Sequence, residues 1–223
     1  MRIAAIRNCL SLIKLKIQGG YNAKKYWKAR HQKFGFDRRG VGNKNLSDKK
    51  NREQYEQALS VYIEICNENL IEFENISVLD VGCGSGFYTK LFVEQGCRNY
   101  LGIDIVDVLF NDLRNKYPSC TFKIIDITKD LIEGMYDLIS MIDVTQHITN
   151  EKKFAFAMQN IRSHLNSNGL FIVTSWLAKK NINSFYEKSR SLEDYKRFFH
   201  IDRFSEPRRF RDKYIFSIRK EPN

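Results

Sequence analysis

The sequence predicts an α/β fold: a seven-stranded, mostly parallel sheet with its last strand reversed, and a helical cover supplied by the N-terminal region. From Ser77 onward, short apolar runs alternate with helix-spaced segments, as in successive βαβ units. The strand-like runs are almost continuously apolar, which suits strands buried on both faces. The chain has 223 residues, 43% hydrophobic and 28% charged, enough for one domain with a proper core.

Taken in order, residues 34–46 (FGFDRRGVGNKNL) are glycine-containing and irregular. Residues 47–70 form a helix opened by Ser47 or Asp48, with apolar positions at Tyr55, Leu59, Tyr62, Ile63 and Cys66. Two or three helices are expected before Ser77, packed over one end of the sheet. SVLDVG (77–82) reads as a buried strand, and residues 86–97 as a helix stopped near Gly96. NYLGIDI (99–105) is the second strand, 107–117 a helix closed by Pro118, and TFKIIDI (121–127) the third strand. MYDLISMID (135–143) is the fourth; Asn150 then caps a helix whose end is placed at Asn168-Gly169. GLFIVTSW (169–176) is the fifth strand, residues 183–198 are read as helical, and KYIFSIR (213–219) as a late strand pairing near residues 201–205.

Composition narrows the function classes. No apolar run approaches the roughly 20 residues that span a bilayer. The N-terminal stretch MRIAAIRNCLSLIKLKIQGG is broken by Arg7, Lys14 and Lys16 and is read as part of the mature protein, with a membrane-surface amphipathic helix as the alternative. Five cysteines without a CxxC pair and four scattered histidines argue against disulfide and zinc frameworks, so no metal is expected and a reducing cytoplasm is the simpler setting. The formal net charge is +11, concentrated before Asp37 and in a cluster at Arg203, Arg208, Arg209, Arg211 and Lys213. Such patches attract polyanions or phosphate-bearing small molecules; a solvated basic surface is the plain alternative.

The most informative stretch is VLDVGCGSGFYT (78–89). A strand ends near Asp80, a turn carries Gly82, Gly84 and Gly86, and a helix begins. Glycines let the backbone approach a ligand where a Cβ would collide, and the helix start offers unpaired N–H groups. The spacing is GxGxG rather than the GxGxxG of dinucleotide binding. A second strand ends in Asp104, 18 residues after Gly86, where a carboxylate can accept both hydroxyls of a ribose.

Asp80 two residues ahead of the first glycine, the GxGxG turn, Asp104, Asp126 after the third strand and YDLISMIDVTQHI after it together resemble class I S-adenosylmethionine-dependent methyltransferases. The resemblance covers residues 77–176, is near the type 11/12 group of small-molecule and glycan methyltransferases, and implies a Rossmann-like fold. It implies a basic arm and lid over residues 1–46 and the methyltransferase domain over 47–223. It also implies roles by position: Gly82, Gly84 and Gly86 at the methionine part of the cofactor, Asp80 at the loop and amino group, Asp104 at the ribose, and Asp126 with Ile127 at the adenine. Asp143 would lie beside the methyl donor. Tyr26 to Arg30 (YWKAR) looks like a lid, so that Tyr26 and Arg30 join the cofactor residues.

Other readings stand beside these. Asp126 could cap the following helix, Tyr26 and Trp27 could be ordinary core aromatics, and Arg30 a surface charge. His147, just after the fourth strand, is the candidate base for a hydroxyl acceptor, its unperturbed pKa of roughly 6.5 suiting that work; packing and capping before Asn150 is the alternative. Asp143 and His147 are thus the catalytic candidates. The expected acceptor is a polar small molecule, methylated on oxygen or nitrogen: a saccharide or nucleotide-linked sugar of a glycan pathway, in which the basic clusters could hold a phosphate. An RNA or protein methyltransferase is the runner-up, although DVTQH is not an NPPY or DPPY motif and no RNA module is recognisable. A cofactor-binding protein without catalysis is the third reading.

Overall fold

The computed structural model describes residues 21–178 and 186–222. The expectations for residues 1–20 of the basic arm and for residues 183–185 lie outside them. The first helix, α1 (Ala23–Phe34), starts at Asn22, whose side chain accepts the Lys25 N–H at 2.9 Å. A single 3₁₀ turn at Arg38–Gly40 interrupts the irregular loop that follows. Ser47 then caps α2 (Asp48–Glu68), accepting the Lys50 N–H.

The parallel part of the sheet contains β1 (Ser77–Val81), β2 (Asn99–Asp104), β3 (Thr121–Ile124), β4 (Tyr136–Met141) and β5 (Leu165–Ser175). The helices between and after them are α3 (Phe87–Glu94), α4 (Phe110–Lys116), α5 (Glu151–Ser163) and α6 (Leu192–Lys196). The chain ends with β6 (Arg203–Phe204), β7 (Arg208–Phe210) and β8 (Lys213–Arg219). The strand order is β3-β2-β1-β4-β5-β8-β6, with β7 also on β8. The pairs from β3 through β5 are parallel, and β8 runs antiparallel to β5.

Alternation along the strands explains the layers. In β5, Leu170 and Ile172 enter one core with Tyr62, Phe92 and Leu113, while Phe171 and Val173 enter the other with Met158 and Phe216. Helices α2, α3 and α4 cover the first face; α5 and α6 cover the second. Burial on both faces is why these strands read as unbroken apolar runs.

Three local expectations are corrected. The sheet has eight strands, because two short strands share the free side of β8: β6 pairs Arg203 with Arg219, and β7 pairs Arg208 with Ile215. Pro207, with no N–H to give, lies between them. Helix α5 ends at Ser163 rather than at Asn168-Gly169, which falls inside β5, where Asn168 takes φ 61° and the register with β4 shifts. Within 186–198 only Leu192–Lys196 is α-helical; Ser191 opens it with a reciprocal cap to Asp194.

Candidate active site

The C-terminal ends of β1, β2, β3 and β4 open on one side of the sheet. β1 is the strand from which the order runs to β2 on one flank and β4 on the other, so a crevice forms at its end. The crevice is a cavity of about 430 Å³ lined by Asp80, Gly82, Gly84, Asp104, Asp126 and Ile127, among others. The sequence-derived group from three strands is therefore brought together, apart from Gly86. Gly86 does not line the cavity; it holds φ 73° as the cap of α3.

The glycine turn is closed from above by the N-terminal region. Gly84 takes φ 52°, and a Cβ there would stand 2.8 Å from Val41 Cγ1. Gly82 takes φ 74°, and its Cβ would run into the Val144 side chain. No L side chain fits either position without strain.

Two carboxylates sit on the cavity wall, Asp80 buried and Asp104 half-buried. Asp80 accepts the Tyr100 hydroxyl at 2.9 Å, and burial pushes its carboxyl up to about 7. Asp104 accepts the N–H of Gly84 and of Val106, both at 3.2 Å; burial pushes it up to about 6. Asp126 folds onto its own turn, accepting the Thr128 N–H at 3.1 Å and the Thr128 hydroxyl at 2.6 Å, while still lining the cavity.

A second cavity, of about 650 Å³, adjoins the first. Trp27, Val41, Asp143 and His147 line both, so these four residues form the partition. Asp143 sits just past β4 at φ 62° and is paired with Arg211 and, at 2.8 Å, with Lys213. Burial alone would raise its carboxyl, but the two cations outweigh that and hold it well below the usual carboxylate range. His147 is packed against Trp27, ring centroids 4.9 Å apart, and burial pushes its imidazole down to about 4.

Tyr26 and Arg30, which the resemblance put among the cofactor residues, do not line the first cavity. Tyr26 stacks on Tyr186 at 4.9 Å. Arg30 faces the second cavity, and its guanidinium holds the neighbouring loop by donating to the carbonyls of Arg39 and Gly42. Their helix contributes Trp27 and His31 to the first cavity instead, and Tyr21, Ala23 and Val41 join them. Helical spacing links Trp27 to His31 in the sequence; nothing local marks Val41 except its flanking Gly40 and Gly42.

Comparison with known proteins decides the family. The family profile described as a methyltransferase domain matches residues 48–212. The chain belongs to this methyltransferase family, and its fold is that of solved S-adenosylmethionine-dependent methyltransferases. Among curated proteins, the methyltransferase is 24% identical over 134 residues to a putative methyltransferase 235L of Invertebrate iridescent virus 6, covering 54% of this chain and 50% of that one. It is 26% identical over 113 residues to a ubiquinone biosynthesis O-methyltransferase of Rickettsia typhi, covering 47% and 42%. The chain thus spans half or less of the length of these curated relatives. Among solved structures, magnesium protoporphyrin IX methyltransferase from Synechocystis PCC 6803 shares the fold with a TM-score of 0.68 at 17% identity, over 91% of this chain and 99% of that one. A methyltransferase from Clostridium acetobutylicum gives a TM-score of 0.59 at 17% identity, over 76% and 92%.

S-adenosylmethionine, which is bound in the magnesium protoporphyrin IX methyltransferase structure, fits the first cavity. The cradle at Gly82 and Gly84 has room only for backbone. Asp104 and Asp80 line it and offer acceptor oxygens for hydroxyls and an ammonium group. Ile105, Ile125 and Ile127 supply an apolar slot for a base.

Proposed function

We propose that the enzyme methylates an oxygen, or a nitrogen, of a polar small molecule held in the second cavity, and that this acceptor is a saccharide or nucleotide-linked sugar of a glycan pathway. One observation carries the reading: a polar cavity large enough for such a molecule meets the cofactor cavity across Trp27, Val41, Asp143 and His147. S-adenosylmethionine supplies an electrophilic methyl on a sulfonium sulfur, transferred by in-line displacement. The protein must align the acceptor with that methyl and exclude water. The partition does both, since Trp27 and Val41 close the junction with apolar surface.

For a hydroxyl acceptor, His147 takes the proton. Its Nδ1 lies 3.1 Å from the Tyr186 carbonyl, a distance at which the neutral ring donates from Nδ1 and leaves Nε2 unprotonated. Asp143 is not a base: its charge is used to hold Arg211 and Lys213 against the partition. The buried, unpaired Cys66, Cys83, Cys97 and Cys120 support a reducing, cytoplasmic setting. Among the described residues, no helix is long and apolar enough to cross a membrane. Methyl transfer from labelled cofactor should be screened against nucleotide sugars, oligosaccharides and bulk RNA. Transfer to RNA alone would overturn the acceptor assignment, and transfer to none of a broad small-molecule panel would favour a binding role.

A further inference from the structure

Residues 186–190 lie along residues 146–151, the turn and helix start that follow β4. The Lys188 N–H donates to the Gln146 carbonyl at 2.7 Å, and the Tyr186 carbonyl stands 3.1 Å from His147 Nδ1. The Tyr186 ring stacks on the His147 ring, within 5° of parallel. The His147 ring is therefore oriented by a segment that follows β5.

One side chain fastens that segment. Arg190 is 1% exposed at its side chain, and its guanidinium lies 4.0 Å from the centre of the Phe154 ring. It donates twice to the Glu151 carboxylate, at 2.9 and 2.7 Å, and once to the Ile148 carbonyl, at 2.7 Å. Lys188 closes on the same carboxylate. The backbone behind the fork is held too: the Ser175 hydroxyl, at the end of β5, donates to the Arg190 carbonyl at 2.7 Å.

Stability does not explain this arrangement. Glu151 is 59% exposed, so water weakens the pair, whereas the Arg190 guanidinium gives up its hydration. Arg190 Nε is buried and has no hydrogen-bond partner among the described residues. An apolar chain packed on Phe154 would avoid both penalties. What an apolar chain would lack is direction. A planar fork fixes a carboxylate and a carbonyl at once, and so sets where the backbone of residues 186–190 lies.

We propose that Arg190 and Glu151 are positioning residues for methyl transfer: their clamp keeps the Tyr186 carbonyl on His147 Nδ1, which holds the neutral ring in the tautomer whose Nε2 can take a proton. The proposal rests on the reading of His147 as the base. Neither Arg190 nor Glu151 lines either cavity, so their effect passes through Tyr186.

The test uses the full chain, its histidine nitrogens isotopically labelled, saturated with S-adenosylhomocysteine at pH 7, where burial keeps the His147 ring neutral. Long-range proton–nitrogen correlation spectra report which ring nitrogen carries the proton, and His147→Gln assigns the signal. The wild type should show His147 as Nδ1–H. The double variant Arg190→Met/Glu151→Gln removes the fork and the carboxylate together and leaves an apolar chain on Phe154. It should melt near the wild-type temperature and still bind S-adenosylhomocysteine. Its His147 should nevertheless shift to a mixture dominated by Nε2–H, the form that free imidazole side chains favour. Arg162→Met breaks the ion pair with Asp202 near the other end of α5; it should lower the melting temperature and leave the tautomer unchanged. An Nε2–H ring in the wild type, or an unchanged Nδ1–H signal in the double variant, would overturn the proposal. So would an equal shift in Arg162→Met, which would show general loosening. A double variant that no longer binds S-adenosylhomocysteine would make the pair a structural brace and overturn its positioning role. A wild-type rate in His147→Gln would instead remove the base reading, and the tautomer measurement does not depend on that rate.

Discussion

His147 and Tyr186 are held face to face, their rings within 5° of parallel and centroids 5.7 Å apart, with the His147 Nδ1 3.1 Å from the Tyr186 carbonyl. This fixes the orientation of a ring that lines both cavities. Burial also disfavours its charged form, with Lys213 adding to the effect. Residue type alone places an inflection near pH 6–7; the structure moves it down to about 4.

The rate of the wild-type enzyme should therefore be flat in this group from about pH 6 upward, and should fall only as the pH approaches 4 and the imidazole protonates. His147→Ala should lose about 10²–10⁴-fold in turnover, the usual worth of a general base, with cofactor affinity nearly intact. His147→Gln keeps a polar contact but takes no proton at neutral pH. If that variant turns over at the wild-type rate with saturating acceptor, orientation is the whole catalytic device.

Asp104 should make cofactor affinity depend on pH. Burial pushes its carboxyl up to about 6, so in the free protein it ionises later than an exposed aspartate. Ribose hydroxyls donate to the ionised form, so affinity for S-adenosylhomocysteine should rise with pH through about 6 and level off above about 7. Asp104→Ala should cost about 1–3 kcal/mol of binding at pH 7.5. Asp104→Asn should flatten most of the pH dependence, the remainder belonging to Asp80, pushed up to about 7. Calorimetry across pH 5–8 reads both effects; an unchanged affinity in Asp104→Ala would remove this residue from the site.

Asp143 should matter more to stability than to proton transfer. Asp143→Asn would leave Arg211, 11% exposed at its side chain, and Lys213, 6% exposed, without their counter-charge. Breaking such a pair by removing one partner costs about 3–5 kcal/mol. Because the folded carboxyl is held far below its ordinary value, its contribution is fully present at neutral pH and is lost only as the pH falls below about 4. Urea unfolding at pH 7 checks the magnitude, and a cost under about 1 kcal/mol would contradict the ion-pair role.

The N-terminal cover should tighten on the cofactor. Val41 sits over Gly84, and Trp27 and His31 line the same cavity. Amides of residues 21–45 should exchange more slowly when S-adenosylhomocysteine is bound. Equal protection in both states would mean a fixed cover. Gly84→Ala should weaken binding at least tenfold, combining a strained φ with a collision at Val41.

Much of this protein was determined by local sequence. Parallel strands declared themselves by apolar continuity, the cofactor turn by its glycine spacing, Asp104 by its distance from that turn, and the starts of α2 and α5 by Ser47 and Asn150. Each depends on residues near one another in the chain. Asn168-Gly169 was legible as a turn signal but not as a bulge within β5, since only pairing with β4 separates the two. The basic C-terminal cluster shows the limit most clearly. In sequence it is a run of cations fit for a solvated surface. In the fold, Arg208 reaches Glu64 and Glu68 on α2, while Arg211 and Lys213 turn inward to Asp143 beyond β4. Which of these cations are spent on internal carboxylates depends on strands that are neighbours only because β8 folds back along β5. Only the tertiary structure could decide that, because electrostatic pairing is a matter of distance in space and burial, and neither is written in residue order.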